Sequence, residues 1–287
     1  MIKKIIPLLF ILLLNPSAFA KTQVIAAENM YGELAQQLGG DYVKVMSILN
    51  NPSQDPHLFS AVPSTAKALA NANIIIYNGL DYDSWMKKLL SVKNDNTAEI
   101  IEVANLIEAK PGTNPHIWYE PTTMIILAKK ITSVFQKMDK QHYAYYQQQL
   151  ENFLRDYETL QADIYRLRLK FQKTPVIATE PVFNYLADAL NLDMHGQALQ
   201  LSLMNETTPT PSQLKAFEDE LTQKQVNLLI YNKQVSEPLV QHLMEIANTA
   251  GIPCVGVTET QPVGLTYIQW MKQQLAEIEK ALSNAKP

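Results

Sequence analysis

DKQHYAYYQQQLENFLRDYETLQADIYRLRLKF, residues Asp139–Phe171, decides how the rest of the chain is read. The steps between Tyr143, Tyr146, Leu150, Phe153, Tyr157, Leu160, Ile164, Leu167 and Phe171 alternate three and four, so all nine fall on one helical stripe. Polar and charged residues fill the positions between, and no glycine or proline interrupts before Pro175. About 30 residues at ~1.5 Å each predict a rod of roughly 45–50 Å, longer than one small domain needs. A coiled-coil arm is the competing reading, and the flanks argue against it.

Those flanks look like two copies of one unit. Val24-Ile-Ala-Ala-Glu-Asn29 resembles Val176-Ile-Ala-Thr-Glu-Pro181, and Asn73-Ile-Ile-Ile-Tyr-Asn78 resembles Asn227-Leu-Leu-Ile-Tyr-Asn232. Two matches at nearly the same offset predict two similarly built lobes joined by the rod.

The first twenty residues stand apart. Lys3 and Lys4 precede an apolar run, Ile5–Leu14, and Ala18-Phe-Ala20 supplies a cleavage site, the pattern of a secretory signal peptide over 1–20. The run is too short to span a bilayer. The residue after the cleavage site is Lys21 and not a cysteine, so the mature chain is expected in the periplasm without a lipid anchor. The single cysteine, Cys254, lies in an apolar run and reads as core. A net charge of -4 gives no footing for nucleic acid binding.

In the remaining chain, apolar runs of strand length at Val24–Ala27, Tyr42–Leu49, Asn73–Asn78 and Ile100–Val103 alternate with helical patterns. After the rod the same order returns: strands at Val176–Thr179, Leu199–Met204, Val226–Tyr231 and Cys254–Thr258, with helices between and a closing helix from Thr266. Thr210-Pro-Ser-Gln213 has the makings of a helix start, with Thr as cap, Pro at the first turn and Gln three residues on. The expected architecture is α/β: an N-terminal lobe over 21–138, a linking helix over 139–173 and a C-terminal lobe over 174–287. Both lobes carry mainly parallel sheets.

Among the five histidines, His142, His195 and His242 read as surface or loop residues. His57 and His116 differ, because each follows a proline on a long loop between a strand and a helix, in Asp55-Pro-His57 and Asn114-Pro-His116. Proline restricts the backbone beside it, so these imidazoles are presented stiffly, as a metal site requires. Spacing alone leaves ligand and structural roles open. Glu180 and Glu259 each follow a strand, where open α/β sheets bind ligands. A helix-start carboxylate is an equally good reading for either one alone.

Taken together, these motifs are similar to those of the extracytoplasmic solute-binding receptors of zinc and manganese ABC importers. Asp55-Pro-His57 followed by a Pro-Ser helix start, Asn114-Pro-His-Ile-Trp118 with Pro121, and Glu180-Pro-Val-Phe-Asn-Tyr-Leu-Ala187 match that family in order and spacing. The resemblance implies two α/β lobes joined by one long helix, with a single metal in the cleft between them. It implies His57, His116, Glu180 and Glu259 as ligands, Zn²⁺ or Mn²⁺ as cargo, a membrane permease as partner, and a monomer. Glu180 falls where zinc receptors often have His, and Glu259 where the family usually has Asp. The His-rich loop of many zinc receptors is missing between Asp55 and His116.

The chain therefore reads as a metal receptor and not an enzyme. A metal-dependent periplasmic hydrolase is the alternative. Against it, four protein ligands would close the site that catalytic zinc keeps open for water, and no separate general base or nucleophile presents itself.

Overall fold

The structure is a computed structural model and describes residues 21–51, 59–91, 97–205, 207–235 and 237–284. The expected signal peptide and His57 lie outside the described residues. The first half runs β1 (Thr22–Glu28), α1 (Asn29–Gly39), β2 (Val43–Leu49), α2 (Pro63–Ala70), β3 (Ile74–Tyr77), α3 (Ser84–Ser91), β4 (Glu99–Glu102), α4 (Val103–Leu106) and α5 (Thr123–Met138). After the long helix α6 (Tyr143–Phe171) come β5 (Pro175–Ala178), α7 (Asn184–Ala189), β6 (Asp193–His195), α8 (Gln197–Met204), α9 (Pro211–Thr222), β7 (Leu229–Asn232), α10 (Pro238–Ala250), β8 (Cys254–Val257) and α11 (Tyr267–Asn284).

The strands form two four-stranded parallel sheets of the same topology, ordered β2-β1-β3-β4 and β6-β5-β7-β8. The repeat read from the sequence extends to register. Ile25 pairs with Ile75 and Ala26 with Ile76 in the first sheet; Ile177 pairs with Leu229 and Ala178 with Ile230 in the second. Glu28 and Glu180 thus occupy equivalent strand ends, as do Asn78 and Asn232.

Strand pleating separates the cores. Val24, Ala26, Ile74 and Ile76 face one apolar cluster, and Ile25, Ala27, Ile75 and Tyr77 face a smaller one on the outer side. In the second sheet Val176, Ala178 and Ile230 face the large cluster, while Ile177 and Leu229 face an outer one. The large cluster is continuous between the lobes through α5, α6 and α11.

Helix α6 buries Tyr146, Leu150, Phe153, Tyr157, Leu160, Ile164 and Leu167, seven of the nine stripe residues. Tyr143 is exposed at the start and Phe171 half-buried at the end. Its 29 residues span about 44 Å. Truncating a buried stripe residue such as Leu160 to Ala costs about 2–5 kcal/mol. Outside the stripe, Arg166 makes a two-pronged bond to Glu279 of α11 at 2.7 and 2.9 Å, which ties the closing helix to the rod.

Three expectations need correction. The rod does not continue from Asp139: its carboxylate accepts from His142 Nδ1 (2.7 Å) and Tyr146 Oη (2.9 Å), and a 3₁₀ turn at Lys140–His142 precedes α6. Leu199–Met204 is helix α8, not a strand, and the edge strand is instead the three-residue β6. Gln-Ala-Leu-Gln-Leu-Ser-Leu-Met alternates like a strand, but it lacks β-branched residues and its Ala, Leu, Gln and Met favour helix. The helix expected after the Val176–Thr179 strand opens as a 3₁₀ turn, Pro181–Phe183, before α7. By contrast, Thr210 and Gln213 form the expected capping box on α9.

Candidate metal centre

His116 sits where the Asn114-Pro115 segment turns into a short 3₁₀ helix, Ile117–Tyr119, and is wholly buried. Its Nδ1 lies 2.6 Å from Asn114 Oδ1, which also accepts the His116 backbone N–H at 3.1 Å. Asn114 Nδ2 in turn donates to Pro181 O at 2.6 Å. Because that amide nitrogen serves the carbonyl, the oxygen must serve the ring. His116 therefore donates from Nδ1 to the amide oxygen, and its Nε2 lies 3.6 Å from Glu259 Oε2.

The two carboxylates come from the second lobe. Glu180 follows β5 and is 6% exposed; Glu259 lies two residues beyond β8 and is wholly buried. Asn232, at the end of β7, donates from Nδ2 to both, at 2.6 Å to Glu259 Oε1 and 3.1 Å to Glu180 Oε2. The Glu259 backbone N–H donates to Gln234 Oε1 at 2.6 Å. Two negative groups placed this close in a dry site are stabilised strongly by a cation.

The first lobe adds Tyr82, whose hydroxyl donates to Glu259 Oε2 at 2.8 Å. Burial, followed by the Glu259 and Glu28 charges, holds its pKa well above the usual phenol value, so it remains a donor. Tyr82 follows three residues of positive φ, Gly79, Leu80 and Asp81. Asp83 clamps that turn by accepting from the backbone N–H of Asn78 (2.6 Å) and Gly79 (2.9 Å). Behind it lies Glu28, wholly buried, with neither oxygen meeting a donor of ordinary geometry. Burial and then the Asp83 charge raise the Glu28 pKa well above the usual carboxylate range. Asp83 is pushed up to about 6 by burial, against the pull of its two backbone donors.

The structure thus brings His116 and Glu259 face to face and links Glu180 to them through Asn232. Among the described residues, no three His, Cys, Asp or Glu side chains form a metal-holding cluster by themselves. Sequence reading missed Tyr82, Asn114 and Gln234 as parts of the site. It singled out Asn232 only as the end of the repeated Asn-(x)₄-Asn motif, and that repetition was the available signal. Nitrogen from imidazole with oxygen from carboxylates is a donor set for a divalent transition metal.

The remaining histidines are accounted for locally. His242 is exposed beside Glu218, as expected. His142 is only 22% exposed, stacked on Tyr42 with ring centroids 3.7 Å apart, and His195 lies on β6 between Glu220 and Asp193. His142 is thus not the solvated surface residue expected, and His195 lies at the end of a strand and not in a loop.

Residues 24–281 match the family described as zinc-uptake complex component A, periplasmic. The chain is 24% identical to the metal ABC transporter substrate-binding lipoprotein SloC of Streptococcus mutans, over 93% of this chain and 92% of that protein. It is 23% identical to the manganese ABC transporter substrate-binding lipoprotein PsaA of Streptococcus pneumoniae, over 92% and 90%. The fold matches that of the periplasmic zinc binding protein TroA of Treponema pallidum, with a TM-score of 0.78 at 17% identity, covering 92% of this chain and 99% of that one.

Proposed function

From the premise that this chain belongs to the periplasmic zinc-uptake component A family, we propose that it holds one divalent ion with His57, His116, Glu180 and Glu259. The function is that of the extracytoplasmic solute-binding receptor of a metal ABC importer, for zinc or manganese. Its partners are the metal ion, carried as cargo, and the importer's membrane permease. It is not an enzyme, and nothing in the family or the fold supports the hydrolase alternative.

The observation that carries the ligand reading is the His116–Glu259 pair: both side chains wholly buried, the imidazole Nε2 aimed at a carboxylate oxygen 3.6 Å away. His57 completes the set by the Asp55-Pro-His57 motif. The division into a lobe over 21–138, a link over 139–173 and a lobe over 174–287 is consistent with the two sheets flanking α6. We further propose that the receptor is a monomer, free in the periplasm once residues 1–20 are removed. Several relatives are named lipoproteins; here the single cysteine lies in β8.

Two imidazoles and two carboxylates make a site harder than three imidazoles and one carboxylate, which suits Mn²⁺. Intrinsic affinity still rises towards Zn²⁺. The protein is therefore expected to bind both, zinc more tightly, with Glu180→His widening the zinc preference. Competition titration of the two ions on wild type and variant tests this. An unchanged ratio removes Glu180 from the ligand set.

A further inference from the structure

Asn114 makes hydrogen bonds in two directions. Towards its own lobe, Oδ1 accepts from the Nδ1 and backbone N–H of His116. Towards the other lobe, Nδ2 donates to Pro181 O at 2.6 Å, and the Asn114 main-chain carbonyl accepts from Tyr185 Oη at 2.8 Å. Pro181 immediately follows Glu180 in sequence, so one residue touches the His116 ring and the backbone beside Glu180 at once.

We infer that Asn114 is a positioning residue that couples the orientation of the His116 imidazole to the apposition of the two lobes. The inference rests on the reading of His116 as a ligand. An amide is planar, so its two ends turn together. While Nδ2 is held by Pro181, Oδ1 is fixed in the position that orients the ring. When this contact opens, even locally, both cross-cleft bonds are lost, the amide can rotate, and the ring loses the partner that orients it. The metal ligand and the interface then loosen as one event. Partners of ligating histidines commonly matter to metal affinity by 10–100-fold, which gives the coupling room to act on release.

The second lobe repeats the device from the opposite side. Asn29, which follows Glu28 as Pro181 follows Glu180, donates to Gln261 O at 2.7 Å and accepts from Gln261 N at 3.1 Å. Gln261 lies two residues after Glu259, as Asn114 lies two residues before His116. The His116, Glu180 and Glu259 segments are therefore each joined to the opposite lobe within two residues of the proposed ligand.

The test uses the full mature chain loaded with Zn²⁺ and chased with excess chelator in stopped flow. Asn114→Asp keeps an oxygen for the ring and removes the donor to Pro181; Tyr185→Phe removes the other cross-cleft bond and touches no proposed ligand. Each is expected to release zinc about fivefold faster, the size of one lost hydrogen bond, and Asn114→Ala to bind about 10–100-fold more weakly. In NMR the His116 Nδ1–H is expected to exchange faster with solvent in Tyr185→Phe, although that substitution lies in the other lobe. Wild-type release rates in both Asn114→Asp and Tyr185→Phe, or an equally protected Nδ1–H, overturn the coupling. His116→Ala serves as the control. If it binds zinc like wild type, the ligand reading itself fails; if it binds weakly while the other variants behave as wild type, only the coupling fails. Should Asn114→Ala not fold, Tyr185→Phe carries the test.

Discussion

The side-chain amide of Asn232 donates to Glu259 Oε1 at 2.6 Å, and the same nitrogen reaches Glu180 Oε2 at 3.1 Å. A single neutral donor thereby serves two carboxylates that are almost fully buried. Replacing it by Leu keeps most of the volume and takes the donor from both. Metal-free Asn232→Leu should be less stable than wild type by about 2–4 kcal/mol, the range for stripping a partner from a buried charge. Bound Zn²⁺ should recover part of that loss, because the ion gives both carboxylates a positive partner in place of the lost donor. Urea unfolding with and without metal measures both. Equal stability of the metal-free proteins would show that the amide does not support the pair.

Glu28 offers a prediction in pH. Its folded pKa is raised by burial and then by Asp83, from an ordinary value of 4.5. A raised folded pKa contributes stability fully below the unfolded value, and the contribution is lost as pH climbs towards the folded value. Wild type therefore loses this contribution from about pH 4.5 upward, with Asp83 adding to the decline up to about pH 6. Glu28→Gln cannot ionise and escapes the Glu28 part. Its stability relative to wild type should rise as the pH goes from about 4.5 to about 7.5. A difference independent of pH would mean that Glu28 is ionised in the folded chain.

Metal should move the lobes little. The large apolar cluster is continuous from one sheet to the other, and Arg166–Glu279 ties α11 to α6. Bending a 29-residue helix without Gly or Pro would break backbone hydrogen bonds. Small-angle scattering should give a radius of gyration that changes by less than about 1 Å on adding Zn²⁺, out of roughly 19 Å for a compact chain of this length. A larger fall would indicate hinge closure of the kind seen in flexibly joined receptors.

The parts of this architecture that repeat or alternate were readable before any coordinates. The three-four spacing of Tyr146 to Leu167 marked the buried face of α6, and the doubled Val-Ile-Ala-x-Glu and Asn-(x)₄-Asn motifs marked equivalent strands down to their register. Leu199–Met204 misled because alternation over six residues does not distinguish a strand from a short helix when leucine supplies the apolar positions. Tyr82 was illegible for a different reason. It meets Glu259 across 177 residues of sequence, and nothing in Leu-Asp-Tyr-Asp records that encounter. Asn114 was visible as part of a motif, but its bond to Pro181 depends on how the lobes meet.

Isothermal titration with Zn²⁺, on wild type and on His57→Ala, His116→Ala, Glu180→Ala and Glu259→Ala, tests the metal centre most directly. The expected result is one ion per wild-type chain and, for each variant, a loss of affinity of about 100-fold or more, as each removes a proposed ligand where even supporting residues count for 10–100-fold. Wild-type affinity in His116→Ala or Glu259→Ala, or no binding by the wild-type chain, would contradict a metal centre built on this pair.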